Sequence, residues 1–249
     1  MDGKPVASYK NGVLNLLRDY SGGGADMPGK SERRERVRQI WNITIVVLVL
    51  YAWLIMFFNT EEGVLTSKGF INLKFYTTLS NIFAAIVAAA RTIGSVTKKN
   101  SRAMAVWKLT SAAAVGVTFL VVIGFLGPLY GFGSMYAGSN FFLHLVVPVL
   151  AMAEFALFNN CRLNKKDNLF TILPPLVYGT VYIINTLING IRGNDIYGFL
   201  RWGYPVGLLI FAVICIVAYG VGCLLRIINA KLVMSEKQGA SPEQIPFDP

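Results

Sequence analysis

Six stretches of this chain are long and apolar enough to cross a lipid bilayer: about 39–58, 70–90, 106–130, 140–158, 168–190 and 203–228. A spanning helix needs about 20 mostly apolar residues, because hydrocarbon offers the backbone no water and every N–H and C=O has to be bonded within the helix. The six stretches fill more than half of the 249 residues, which leaves no room for a sizeable soluble domain. With 54% hydrophobic and 14% charged residues and a mean hydropathy of +0.53, the composition is that of a polytopic membrane protein. The expected fold is all-α: a bundle of six transmembrane helices over 38–230, a polar segment over 1–37 and a disordered tail over 231–249.

The net charge of +10 is a matter of placement rather than a sign of nucleic-acid binding. If the stretches alternate in direction, 19 of the 23 bases fall with the two termini and the second and fourth connections. Lys68, Lys74, Arg192 and Arg201 make up the other side, together with Glu61 and Glu62. The positive-inside rule then puts both termini in the cytoplasm. The expected location is integral to the membrane, and the plasma membrane if the chain is bacterial.

The first 37 residues hold five acids and many bases. They show no short apolar run before a cleavage site, so the first span reads as the insertion signal. Within them, Val6, Tyr9, Val13, Leu14 and Leu17 recur at helical spacing and suggest an amphipathic helix on the membrane surface. The Gly-rich stretch 21–29 reads as a linker, and the basic run 31–38 as either a topology signal or an attraction for anionic head groups. Cys161, Cys215 and Cys223 have no metal-site spacing and read as packing residues. With a single histidine in the chain, no metal and no cofactor is expected.

That histidine, His144, falls inside the fourth stretch. An ionisable side chain at membrane depth is costly and usually faces the protein interior, and an imidazole suits general-base work. In the second stretch Lys74, Thr77, Thr78 and Asn81 fall at i, i+3, i+4 and i+7, on one helical face, with Ser80 beside them. In the fifth, Tyr178, Tyr182 and Asn185 also share a face. At about 1.5 Å of rise per residue, Thr77, His144 and Asn185 reach comparable depths on the side away from the termini. Such a layer can line a cavity and donate to an oxyanion, or it can simply bond helices together. Glu154, ten residues after His144 and so about 15 Å along the axis, is too far to orient the imidazole. It reads as a separate buried acid, paired with Arg162 or Arg91.

These residues carry a resemblance. Lys74-Phe-Tyr-Thr77-Thr-Leu-Ser80-Asn81 is similar to the second-helix motif of the androgen-induced-gene family of multi-pass membrane threonine hydrolases and their bacterial and fungal relatives. Asn140-Phe-Phe-Leu-His144-Leu-Val-Val-Pro148 resembles the family's His-containing helix. Ile196-Tyr-Gly-Phe-Leu200 resembles its Tyr-Pro-Phe-Leu segment, with Gly198 where Pro is common. The resemblance covers about 40–228. It implies hydrolysis of fatty-acyl esters of hydroxy fatty acids, with Thr77 as nucleophile and His144 as base.

On that reading an imidazole activates the weak alcohol nucleophile, and an acyl-threonine forms and is hydrolysed. Asn81, Ser80, Asn185, Tyr178 or Tyr182 would serve as oxyanion or substrate contacts. Lys74, Arg192 or Arg201 would hold a fatty-acyl carboxylate. The expected partners are membrane lipids or fatty-acyl esters, with no nucleic acid. Because no acid lies near His144, a backbone carbonyl, Tyr178 or Tyr182 would have to orient the ring. Two other classes stay open: a transporter or channel with a polar intramembrane cavity, and a non-catalytic structural membrane protein.

Overall fold

The computed structural model describes residues 29–58, 67–96 and 101–238; the amphipathic segment read at 5–20 lies outside them. By contacts the chain divides into Met1–Val37 and a main unit, Arg38–Pro249, that holds the bundle. The described residues are almost entirely helical and include no strand. Six helices are long and apolar enough to cross a membrane. They are α1 (Lys30–Phe58), α2 (Tyr76–Val96), α3 (Arg102–Tyr130), α4 (Ser139–Phe158), α5 (Lys165–Asn189) and α6 (Tyr204–Gln238). The last helix continues past residue 230, where the sequence reading places a tail.

The bundle has its small and polar residues inside and its large apolar residues outside. Helix α3 is central and packs on α2, α4, α5 and α6. Its middle turns are Ala112, Ala113, Ala114, Val115 and Gly116, all buried. A Cβ at Gly116 would come within 3.0 Å of both Met152 and Val221, so α4 and α6 approach the α3 backbone closely. Small residues at such crossings are the usual means of packing helices in lipid, where apolar burial itself gives little. On α1 the buried stripe is Arg38, Asn42, Ile45, Val49, Ala52 and Met56, while Ile43, Val47, Leu50 and Leu54 face outward. A water-soluble protein does not leave so much contiguous apolar surface exposed.

Helix α2 starts at Tyr76, not at 70. Residues Gly69–Lys74 instead form a 3-10 turn. Asn72, 1% exposed, explains the break. Its Oδ1 accepts from Ser67 N at 2.8 Å, and its Nδ2 donates to the carbonyls of Ser67 and Gly69. A side chain that bonds its own neighbourhood competes with helix formation. The first N–H of α2, at Tyr76, is then satisfied by the Tyr197 hydroxyl at 2.8 Å, since helix N-termini need such outside acceptors.

Helices α3 and α4 each contain one π-turn, Val122–Leu126 and Phe142–Val146. Each lies just before a proline, Pro128 or Pro148. A proline has no N–H for the carbonyl four residues back, and its ring crowds that carbonyl. For Pro148 that carbonyl belongs to His144. The π-turn, closed by Val147 N to Phe142 O, absorbs the conflict, and π-turns are frequent at functional sites.

The buried Glu154 does not pair with Arg162 or Arg91 as the sequence suggests. Its Oε2 lies 2.7 Å from Lys108 Nζ on α3, and its Oε1 accepts from Asn42 Nδ2 at 2.9 Å. Asn42 also accepts from Lys108 at 2.7 Å. Three helices thus meet in one ionic knot, at the end of the bundle opposite His144.

Candidate functional site

Of the polar residues read as one layer, Thr77 and Asn81 near the start of α2 are bonded to the turn that holds His144, whereas Asn185 is exposed near the end of α5. His144, 2% exposed, sits in the π-turn of α4. Its Nδ1 is 2.6 Å from the carbonyl of Met135, in the α3–α4 connection. A carbonyl only accepts, so Nδ1 carries the proton of the neutral ring and Nε2 is left as its acceptor. The orienting group is therefore a backbone carbonyl, one of the alternatives the sequence leaves open, and neither Tyr178 nor Tyr182.

Asn81 ties α2 to α4. It is fully buried, and its Nδ2 donates to Thr77 O at 2.8 Å and to Leu143 O at 3.0 Å. One amide thus joins the turn that carries Thr77 to the residue before His144. Both of its N–H groups are used, which makes Asn81 a positioning residue rather than an oxyanion donor. Its Oδ1 is buried with no bonded partner. Ser80, 3% exposed, is spent similarly, with its hydroxyl 3.0 Å from Thr77 O and 3.0 Å from the Thr118 hydroxyl of α3.

Thr77 lines a small cavity of about 40 Å3 with Tyr76, Thr118, Tyr178 and Tyr197. A wider groove of about 800 Å3 runs along α2 and α5. Its apolar wall includes Leu79, Phe83, Trp107, Val177 and Val181, and its polar groups are Lys74, Ser80, Tyr178, Tyr182, Asn185 and Asn194. Tyr76 and Tyr178 line both spaces and stand between them. The groove collects five of the eight substrate-contact candidates. Arg192 and Arg201 are not among its lining; both are exposed on the α5–α6 loop, where Arg201 lies 5.3 Å from the Trp202 ring. His144 lines neither space.

The tyrosines hold the α5–α6 loop. Tyr182 donates to Asp195 Oδ1 at 2.5 Å and accepts from Tyr197 N at 3.3 Å, and Asp195 Oδ2 accepts from Leu200 N at 3.0 Å. Tyr178 donates to Lys74 O at 2.8 Å. Burial pushes the Tyr197 phenol up to about 12, so at neutral pH it keeps its own proton while accepting from Tyr76 N. The loop buries Tyr197, Phe199 and Leu200 by turning at Gly198, with φ +69°. A proline cannot adopt that angle, so the departure from Tyr-Pro-Phe-Leu is a real change of turn. Asn185 bonds Asn189 at 2.8 Å and is exposed.

The sequence reading missed Met135, Tyr76, Asp195 and Tyr197. Met135 acts through its carbonyl and leaves no side-chain signal. Asp195 does leave one, as the acid of the last loop on this side of the bundle. Comparison with family models, curated proteins and solved structures returned no match to this chain.

Proposed function

We propose that this chain is an intramembrane hydrolase of fatty-acyl esters, with Thr77 as nucleophile, His144 as base and both termini cytoplasmic. The observation that carries the reading is the Asn81 bridge between Thr77 O and Leu143 O, which brings the Thr77 turn against the His144 turn. The imidazole, held at Nδ1 by Met135, keeps Nε2 for a proton. An apolar groove of about 800 Å3 beside Thr77 suits an acyl chain, within the ~300–1,000 Å3 usual for ligand sites. The resemblance to the androgen-induced-gene family points to the same two residues.

The chemistry runs in two halves. Thr77 Oγ attacks the ester carbonyl as Nε2 takes its proton, and the imidazolium then gives that proton to the departing alkoxide, leaving an acyl-threonine. Water, deprotonated by the same nitrogen, attacks the acyl-threonine. Its collapse releases the fatty acid and returns the proton to Thr77. Because the donors of Asn81 and of Tyr178 are committed, the oxyanion takes its hydrogen bond from the Tyr76 hydroxyl, which lines the Thr77 cavity and has no bonded partner. Lys74, in the groove lining, meets a substrate carboxylate.

The test is hydrolysis of a fatty-acid ester of a hydroxy fatty acid by the purified protein, with labelling by a fluorophosphonate probe. Thr77→Ala and His144→Ala should each remove both signals, a general base being worth about 10²–10⁴-fold. Wild-type labelling in both variants would overturn the proposal. A second reading has its own observation: the His144–Met135 bond closes the α3–α4 connection. If His144 is purely structural, His144→Gln lowers thermal stability in a protein that shows no hydrolysis to lose.

A further inference from the structure

Thr77 and the groove suited to an acyl chain occupy separate spaces. The cavity beside Thr77 measures about 40 Å3, which holds a few waters and is far below the ~300–1,000 Å3 of a ligand site. The groove beside it measures about 800 Å3. Tyr76 and Tyr178 line both, edge to face, with ring centroids 5.3 Å apart. An ester in the groove therefore reaches the Thr77 hydroxyl when one of these two rings gives way. Tyr76 is the fixed one: it is the first residue of α2, its N–H is held by the Tyr197 hydroxyl at 2.8 Å, and its own hydroxyl is buried. Tyr178 is half-buried and stands on the open side, where Val177 and Val181 of the same helix are each 61% exposed. Its hydroxyl donates at 2.8 Å to the carbonyl of Lys74, which ends the 3-10 turn.

We infer that the Tyr178 ring is the door between the groove and Thr77, so that this one side chain decides which acyl esters reach the nucleophile. A side chain moves between staggered positions about χ1, and the groove supplies the volume into which this ring swings. The bond to Lys74 O and the edge contact with Tyr76 set how readily it opens. Its place along α5 also sets where an ester stops. Leu173, Pro174 and Val177 precede Tyr178 in the groove lining, and Tyr182, Asn185 and, past the helix, Asn194 follow it. An acyl chain laid along the first group, with a polar end against the second, brings its ester beside the door. A passage one ring wide admits an ester on an unbranched chain and holds back one flanked by bulky groups. The consequence for catalysis rests on the hydrolase reading, whereas the door itself is a matter of access alone.

The experiment reads access rather than turnover. Thr77→Cys, in the purified full-length protein in nonionic detergent, is treated with N-ethylmaleimide or the larger N-pyrenylmaleimide, and each cysteine peptide is followed by mass spectrometry. Cys161, half-buried beside Lys108 and Glu154 at the other end of the bundle, is the internal reference. Position 77 should react slowly with the small reagent and more slowly still with the large one. The rate at a gated site scales with the fraction of time the gate is open, and minor states are typically 0.1–10% populated. Adding Tyr178→Ala should therefore raise the rate at position 77 by about tenfold or more and narrow the gap between reagents, with Cys161 unchanged. Tyr178→Phe keeps the ring and removes the bond to Lys74 O, so it should raise the rate by about fivefold; it is the variant to read if Tyr178→Ala does not fold. Rates at position 77 that move no more than those at Cys161 would overturn the inference. With Thr77 intact, Tyr178→Ala should raise hydrolysis of a branched ester relative to a straight-chain one. Labelling that depends on Tyr178 in a protein without hydrolysis supports the door and overturns the hydrolase reading; hydrolysis with labelling indifferent to Tyr178 does the reverse.

Discussion

His144 Nδ1 sits 2.6 Å from the Met135 carbonyl, which fixes the tautomer of the only histidine in the chain. The consequence is directly measurable, because a single histidine gives unambiguous ring signals. In protein labelled with ¹⁵N on the imidazole, the neutral ring should show a protonated Nδ1 and an unprotonated Nε2. The opposite tautomer would mean that Nε2, not Nδ1, is spent on bonding, and would remove His144 as a base.

Asn81 should be among the least replaceable residues of α2. Asn81→Val keeps much of the volume but removes the donor for Thr77 O and Leu143 O. Leaving a buried acceptor without a partner costs about 1–3 kcal/mol, and Leu143 O lies at a π-turn where helical bonding is already rearranged. A lower midpoint of thermal unfolding is expected. Hydrolysis, where it is measured, should fall further than stability predicts, because the Thr77 turn loses its tie to α4. Equal losses in the two would mean that Asn81 only packs.

The Tyr182–Asp195 bond gives a prediction for the α5–α6 loop. Tyr182→Phe removes a 2.5 Å bond to a carboxylate and the acceptor for Tyr197 N. A bond to a charged group is worth about 1.5–3 kcal/mol. Amide exchange should therefore quicken across residues 191–203, while the middle of α3 stays protected. Uniform acceleration through the bundle would instead show that the loop and the helices unfold as one unit.

The six spans were legible because length and hydropathy suffice to mark them. The face shared by Thr77 and Asn81 was legible too, because helical spacing is a local property. The start of α2 was not: Phe70, Ile71 and Leu73 look helical, and the side-chain bonds of Asn72 that break the helix cannot be read from apolarity. The π-turns leave only Pro128 and Pro148 as traces. Glu154 stood out as a buried acid, but its partners Asn42 and Lys108 lie on other helices, and sequence proximity pointed to the wrong arginines. The carbonyl that orients His144 left no trace, because any residue could supply it.

The Lys108–Glu154 pair allows a sharper test of how this bundle is held together. Both side chains are buried, at 6% and 2% exposure, and they are 2.7 Å apart. Removing one partner strands a charge among helices, which costs about 3–5 kcal/mol. Glu154→Leu should therefore destabilise strongly, as should Lys108→Met. Replacing both removes the stranded charge and leaves mainly Asn42 to rearrange, so the double variant should be more stable than either single one. The coupling read from the cycle should exceed about 1 kcal/mol, within the range for residues in one network. Additive losses would mean that the two charges are screened by water reaching them from the cavity that both line.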